Sequence, residues 1–408
     1  MSEAPLADIR VVTIESWMAV PSASAILSDM GASVIKIEPL SGDPMRGVGR
    51  PTKLESPRRE YDFQFDVDNR GKRSIALALD TEAGQKVVRE LIAKADIFMC
   101  NLLVERQQKF GLNPQACLEI NPKIVHATFT GYGTTGPDAW RPGYDVTAFF
   151  GRSGLYDAMR EGQDGVVPQA RPAQGDHTSG LALLGAVLAA LRLAEKTGEG
   201  QVVETSLLES AVWTQASDYA ITAVDKAPVR QRARTEMIIP TANRYPCGDG
   251  KWVVFNMPEI SAWPKFCQAI GRSEWLDEER YQDLRGRYQY MAEIVHGVDE
   301  ALSVKSRDEW GKIFDEAGFI WGPVLSMHEV VDDPQAQAVG LFPELSHEVL
   351  GQYPTVNIPM RFHTAEVKPR GPSPTIGEHN LDILLELGYD ETEIQALKAM
   401  GTIQNDEG

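Results

Sequence analysis

Short apolar, β-branched runs alternate with amphipathic or small-residue segments through the first third of the chain. Residues Ile9–Glu15 (IRVVTIE) predict a strand, Ser22–Gly31 a helix and Ser33–Glu38 (SVIKIE) the next strand, which together make a βαβ unit. The alternation continues through Arg73–Leu79 (RSIALAL), the amphipathic TEAGQKVVRELIAKA from Thr81, Asp96–Leu102 (DIFMCNL) and Lys123–Thr130 (KIVHATFT). Strands separated by helical lengths are what a parallel sheet covered by helices requires, so an α/β, Rossmann-like sheet is expected.

Past Asp176 the pattern changes. A small-residue-rich helix is expected over Thr178–Glu195, a short strand from Gln201 (QVVET), and a second helix from Ser206. Residues 226–243 (KAPVRQRARTEMIIPTAN) are basic and irregular and read as a connecting arm. CGDGKWVVF from Cys247 carries an Asp-Gly hairpin signal, and Ser306 with Glu309 makes a capping box. Short strands return near Pro343, followed by the linker KPRGPSPT and two helices, NLDILLELG and TEIQALKAM. The expected organisation is a first part over 1–225, a linker over 226–243, a smaller domain over 244–335 and a closing part over 336–408.

Composition narrows the function. A chain of 408 residues, 43% hydrophobic, can bury a large core and build two domains. Acidic residues outnumber basic ones 58 to 40, and the net charge of −18 repels nucleic-acid phosphates, so no nucleic-acid partner is expected. MSEAPLADIR lacks a basic stretch followed by an apolar core, and the apolar run Leu181–Ala194 reads as too short to span a bilayer. No membrane association and a cytoplasmic location are the expectations. Cys100, Cys117, Cys247 and Cys267 show no CxxC spacing, and all but Cys247 lie in apolar contexts. The seven histidines form no HExxH or HxH cluster. Neither a disulfide framework nor a metal site is implied.

Four stretches carry candidate chemistry. Glu38 ends the second strand where a ribose-binding acid would sit, but the preceding loop SWMAVPSAS has no GxGxxG, which argues against a nicotinamide enzyme. Asn69–Ser74 (NRGKRS) concentrates cations; it reads as a solvated turn or, with Arg46, Arg50 and Lys109, as a grip for a multiply charged ligand. GYGTTGP from Gly131 follows a strand at its carboxyl end, the side on which open α/β sheets place ligands. In QGDHTSG, Asp176 precedes an apolar helical run and reads as a helix N-cap. The same position would keep a nucleophilic carboxylate ionised through the helix dipole and backbone N–H groups. An acid/base pair of Asp176 with His177 is a rival reading.

These stretches, with GASVIKIEPLSGDPMRG, ADIFMCN, TGYGTTGPDAWRPGYD, TGEGQVVETSLLES and the closing SPTIGEHNLDILLELGY, resemble the family III CoA-transferases over nearly the whole chain. The group contains formyl-CoA transferase, carnitine CoA-transferase and the 2-methylacyl-CoA racemases. GYD followed by TAFF, and the GDH form of the aspartate motif, are most similar to the branch containing cinnamoyl-CoA:phenyllactate CoA-transferase.

The resemblance implies a large Rossmann-like domain built from both chain ends, a smaller central α+β domain, and an interlocked homodimer. It implies that Asp176 is the covalent nucleophile, with coenzyme A as substrate, no permanently bound cofactor, and an acyl-CoA donor and a carboxylic acid acceptor as partners. Carried over residue by residue, the CoA contacts fall on Met18, Ala19, Asn69, Lys72, Arg73, Asn101, Leu103, Lys109, Tyr144 and Asp145. The branch hints at a bulky or aromatic acid, for which Trp17, Met18, Tyr144, Phe149 and Phe150 could line a pocket.

This chain departs from the family pattern at three places. Ala19-Val20-Pro21 stands where Ala-Gly-Pro is frequent, Asn101–Glu105 lacks an expected cation and puts weight on Arg106 and Lys109, and no glycine-rich run lies near Phe255–Trp263. Gly143-Tyr144-Asp145 replaces the Gly-His-Asp of the racemase pattern, and tyrosine is a poor base near neutrality, so transferase is preferred to racemase. A non-catalytic CoA-binding protein is a third alternative.

Overall fold

The protein is described from a computed structural model covering residues 4–50, 53, 55 and 57–404. It divides into two compact units: the first is made of the chain through Leu155, Ala170–Tyr219 and everything from Val339, the second of Tyr156–Gln169 and Ala220–Ala338. Residues 156–169, read from sequence with the N-terminal part, thus belong with the second unit.

In chain order the first unit contains β1 (Arg10–Ile14), α1 (Ala19–Asp29), β2 (Ser33–Glu38), α2 (Phe63–Asn69), β3 (Arg73–Ala76), α3 (Glu82–Ala93), β4 (Ile97–Cys100), α4 (Val104–Phe110), α5 (Pro114–Ile120) and β5 (Val125–Thr130). A π-helix over Asp145–Arg152 follows; the short α6 (Leu155–Ala158) passes into the second unit, and the first unit resumes with α7 (Gln174–Thr197), β6 (Gln201–Ser206) and α8 (Leu207–Thr214). All six strands pair in parallel in the order β3-β2-β1-β4-β5-β6. The chain reverses direction across the sheet between β1 and β4, so the ligand crevice of such a fold lies beyond their carboxyl ends.

β1 to β5 are largely apolar because both faces are covered, whereas the edge strand β6 is half exposed. Val12, Ile37, Ile75 and Phe98 join Val88, Leu91 and Ile92 of α3 in one core cluster, which also takes Ile383, Leu384, Ile394 and Leu397 from the chain's last two helices. On the other face α7 lies against α1 at close range. A Cβ on Gly180 would collide with Ser22 Oγ and come within 2.8 Å of the Ala19 carbonyl, so only glycine permits this approach.

Two elements differ from the sequence reading. α2 was not expected: FQFDVDN alternates apolar and polar residues like a strand, but Asp62 caps it by accepting from Phe65 N at 2.9 Å. α7 begins at Gln174 instead of Thr178, because Ala173 takes a left-handed φ of 76° as the N-cap residue and turns the chain into the helix earlier. Asp176 is therefore the third helical residue, not the cap. The helix spans 24 residues and is long and apolar enough to cross a membrane by length and composition alone, which the run Leu181–Ala194 did not suggest. Its buried side, from Gly175 and Ser179 to Ala194, packs within the protein.

The second unit holds the antiparallel sheet β7 (Arg244–Pro246), β8 (Trp252–Phe255) and β9 (Trp321–Val324), the first two joined by the Asp-Gly turn. Its core is aromatic, with Trp263 stacked on Trp275 at 5.8 Å. The basic segment 226–243 is mostly irregular, and Arg234 within it is held by Asp299 at 2.6 and 2.7 Å. The capping box at Ser306 and Glu309 opens a helix over Arg307–Glu316. All four cysteines are free and buried, Cys247 included.

Candidate active site

The crevice beyond β1 and β4 contains two cavities that share Ser16, Asn101, Leu102 and Arg106. The smaller, about 230 Å³, is lined by Trp17, Ala19, Leu103, Phe129, Pro142, Tyr144 and Leu207, and receives Asp176. The larger, about 660 Å³, runs past Pro39, Leu40, Ala78 and Asp80 to Lys109. Together they form an elongated groove, apolar and carboxylate-bearing at one end and cationic at Arg106 and Lys109.

The loop after β1 is clamped into shape. Asn101 Oδ1 accepts from Ser16 N at 3.2 Å, and Asn101 Nδ2 donates to the Ser16 carbonyl at 2.8 Å. Trp17 is held at a φ of 65°, a costly conformation for an aromatic residue, and its N–H donates to Asp43 Oδ1 at 3.2 Å. Its ring meets that of Tyr144 edge to face with centroids 5.2 Å apart, forming one wall of the smaller cavity.

Asp43 belongs to a fully buried network. Lys36 Nζ donates to Asp43 Oδ2 at 2.6 Å and to Asn69 Oδ1 at 2.9 Å. Lys72 Nζ donates to Glu15 Oε1 and to the Asp68 carbonyl, each at 2.7 Å, and to the Pro21 carbonyl at 3.0 Å. Ser24 Oγ donates to Glu15 in turn. Burial pulls the Lys72 ammonium down to about 8 despite Glu15.

The cationic turn, read from sequence as either a solvated turn or a phosphate grip, is instead largely internal and paired within the protein. Lys72 and Asn69 are inaccessible, with every ammonium proton of Lys72 committed. Arg73 starts β3 at the edge of the sheet away from the crevice and pairs with Glu386 at 2.6 Å. Arg46 is spent on Glu38, with Nε and Nη2 at 2.8 and 2.7 Å from its two oxygens, which also removes Glu38 as a ribose ligand. Of the other expected contacts, Ala19, Asn101, Leu103 and Tyr144 line the smaller cavity and Lys109 the larger, while Met18 is the N-cap residue of α1. Phe149 and Phe150 are core residues.

Asp145 lies buried beneath the first turn of α7. Its Oδ1 accepts from Val146 N at 2.7 Å, and its buried Oδ2 has no partner among the described residues. A Cβ on Gly175 would reach 2.8 Å from Asp145 Cβ, so glycine lets the two segments touch. Burial, then the Asp145 carboxylate, pushes the Asp176 carboxyl up to about 7, while His177 pulls it down. The helix dipole thus does not by itself keep Asp176 charged, as its position at the helix start had suggested.

Asp68 and Leu207 were not anticipated. Asp68 Oδ1 meets His177 Nε2 at 3.0 Å across 109 positions of sequence, a separation that leaves no local signal. Among the described residues no group of His, Cys, Asp and Glu is arranged to hold a metal ion.

Comparison with known proteins places the chain in a family. The chain is 31% identical over 395 residues to the (R)-2-hydroxy-4-methylpentanoate CoA-transferase of Clostridioides difficile, covering 96% of this chain and 98% of that one. It is 32% identical over 397 residues to the cinnamoyl-CoA:phenyllactate CoA-transferase of Clostridium sporogenes, covering 96% and 95%. The crystal structure of a CAIB/BAIF family protein from Brucella suis superposes with a TM-score of 0.85 at 27% identity, covering 95% of this chain and 100% of that chain. A family profile described as CoA-transferase family III matches residues 6–380, and the chain belongs to that family.

Proposed function

We propose that the enzyme moves CoA from an acyl-CoA thioester to a free carboxylic acid through covalent intermediates on Asp176. The observation that carries this reading is the Asp176 carboxylate itself, on the first turn of a helix, uncommitted to capping and lining an apolar cavity at the sheet's switch point. A carboxylate there attacks the thioester carbonyl; the C–S bond breaks, leaving an aspartyl acyl anhydride and CoA thiolate. The thiolate attacks the Asp176 carbonyl of the anhydride, expelling the donor's acid as a carboxylate and forming an aspartyl-CoA thioester. The acceptor carboxylate attacks that thioester, giving a new anhydride and thiolate, and attack of the thiolate on the acceptor carbonyl releases the new acyl-CoA and restores Asp176. First-turn amide N–H groups, which lack intrahelical acceptors, are suited to the oxyanions.

Coenzyme A would run along the groove, its phosphates near Arg106 and Lys109 and its thioester beside Asp176, with Ala19, Asn101, Leu103 and Tyr144 along the way. Trp17, Phe129, Pro142, Tyr144 and Leu207 favour an apolar, branched or aromatic acyl group. A homodimer is supported by apolar side chains left exposed on neighbouring elements: Leu181 and Leu193 on α7, Val202 on β6 and Trp213 on α8, the last 79% exposed. Four free, buried cysteines fit a reducing compartment such as the cytoplasm.

The test is peptide mapping by mass spectrometry after hydroxylamine quench of enzyme mixed with a panel of acyl-CoAs that includes dicarboxylic ones. A hydroxamate on Asp176 with apolar donors is the expected result. Absence of any adduct, with deuterium exchange beside the thioester, would overturn the transferase mechanism in favour of racemase chemistry.

A further inference from the structure

Three carboxylates converge on one imidazole behind the smaller cavity. Asp176 lies on the first turn of α7, Asp145 is buried beneath that turn with an unpartnered Oδ2, and Asp68 on α2 holds His177 Nε2 at 3.0 Å. Asp68 is itself 2% exposed, and its backbone is pinned by the buried Lys72 ammonium on its carbonyl. The His177 side chain is 46% exposed and can exchange protons with water. Among the described residues, the other charged or titratable groups on elements packed against α7 have partners elsewhere: Asp29 of α1 pairs with Arg70 at 2.7 Å, Arg152 of the π-helix with Asp138 at 3.2 Å, His126 of β5 bonds the Leu112 carbonyl at 3.0 Å, Glu209 of α8 is engaged by Ser206 Oγ at 2.7 Å, and Glu204 on β6 by Thr134.

We propose that Asp68 and His177 form a charge-holding pair for Asp176: Asp68 fixes the ring and favours its protonated form, and the imidazolium offsets Asp145 and keeps Asp176 a carboxylate. This rests on the reading of Asp176 as the nucleophile. His177 is a positioning residue; it acts through the neighbouring carboxylate and its proton stays on the ring throughout. Burial, Asp145 and, least of these, Asp68 raise Asp176 while His177 opposes them; the larger effect of Asp68 is on His177, whose hydrogen bond to it is the first cause that raises the ring. The arrangement also replaces the acid/base pairing of Asp176 with His177 that adjacency suggested, since the hydrogen-bond partner of His177 is Asp68.

The experiment is the pH dependence of the single-turnover burst of donor-acid release, which needs no acceptor acid, in the wild type, His177→Gln, Asp68→Asn, His177→Lys and Asp176→Asn. In His177→Gln the acidic limb should move up by about one unit, so the burst rate falls about tenfold at pH 6 and stays within about twofold of wild type at pH 9. Asp68→Asn should shift it the same way with His177 still in place, and His177→Lys, which restores a cation, should move it back. A 13C titration of aspartate-labelled protein, with the Asp176 signal assigned by its loss in Asp176→Asn, reads the same midpoint without turnover. An unmoved limb, or an equal loss at every pH, overturns the proposal. Loss of the burst in Asp176→Asn with no shift in His177→Gln sinks this inference alone, whereas a burst that survives Asp176→Asn sinks the nucleophile reading itself.

Discussion

Two clusters of charge share the neighbourhood of α1 and are built on opposite plans, one fully buried and the other reaching water at His177. In the first, Glu15 and Asp43 face Lys36 and Lys72, two against two, and both lysines donate also to Asn69 or to main-chain carbonyls. In the second, Asp68, Asp145 and Asp176 face a single imidazole, and one carboxylate oxygen has no partner among the described residues. The balanced cluster holds geometry: it fixes Asp43, which fixes the strained Trp17, which forms a wall of the cavity. The unbalanced cluster holds reactivity, because a carboxyl whose ionisation falls near neutrality is costly to keep in a fold unless its charge is used.

Breaking the balanced cluster should have the largest effect. Lys72→Met leaves Glu15 buried without its closest cation and is expected to cost about 3–5 kcal/mol, or to prevent folding. Adding Glu15→Leu removes the orphaned charge and should recover part of that loss; denaturant unfolding of the two single variants and the double closes the cycle. Asp176→Asn should do the reverse and stabilise the protein while abolishing transfer. A folded-state value of about 7 against 3.8 means the folded protein binds more protons between those limits, so wild-type stability falls as pH rises through that window. The Asn variant escapes that fall: no gain is expected near pH 4, rising to about 1–3 kcal/mol at pH 8 once solvent screening is allowed for. A gain of equal size at both pH values would show that charge is not its cause.

The balanced cluster was hardly legible in the sequence, and the reason is distance along the chain. Lys72 meets Glu15 across 57 positions and Lys36 meets Asn69 across 33, and no local pattern tells a solvated cationic turn from an internal one. The place of Arg73 is legible in the sequence, since a residue that opens a parallel strand lies at the end opposite the ligand crevice. β1 to β5 were legible because burial on both faces leaves largely apolar runs, and β6 because QVVET at the sheet edge keeps a short β-branched stretch. α2 was not, because its period-2 pattern serves a tertiary role: Phe65 packs under Arg46 at 4.1 Å while Asp66 and Asp68 bind partners from other segments. Asp176 stood out through its motif, but its helix begins earlier than cap preference suggests, since Ala173 accepts a left-handed conformation that single-residue statistics disfavour.

Between the two clusters lies the apolar wall, and shortening it should alter selectivity more than fold. Trp17→Ala or Tyr144→Ala should lower kcat/KM for aromatic and branched acyl-CoAs by about 10–100-fold and for acetyl-CoA by less than about threefold. Equal losses across the series would place the acyl group elsewhere.

The smallest expected effect concerns cations that belong to neither cluster. Arg106 and Lys109 are exposed on α4, where solvent screens them and each contact with a phosphate contributes little alone. Lys109→Ala should raise KM for acyl-CoA about three- to tenfold and leave kcat within about twofold, because a contact far from the thioester binds ground state and transition state alike. The difference should shrink between low and high salt, as a screened attraction must, whereas the effect of His177→Gln, which acts inside the folded unit, should persist. A salt-independent loss at Lys109 would mean that its role is packing over Phe110, whose ring lies 5.4 Å from the ammonium, and would leave Arg106 as the phosphate-binding cation of the groove.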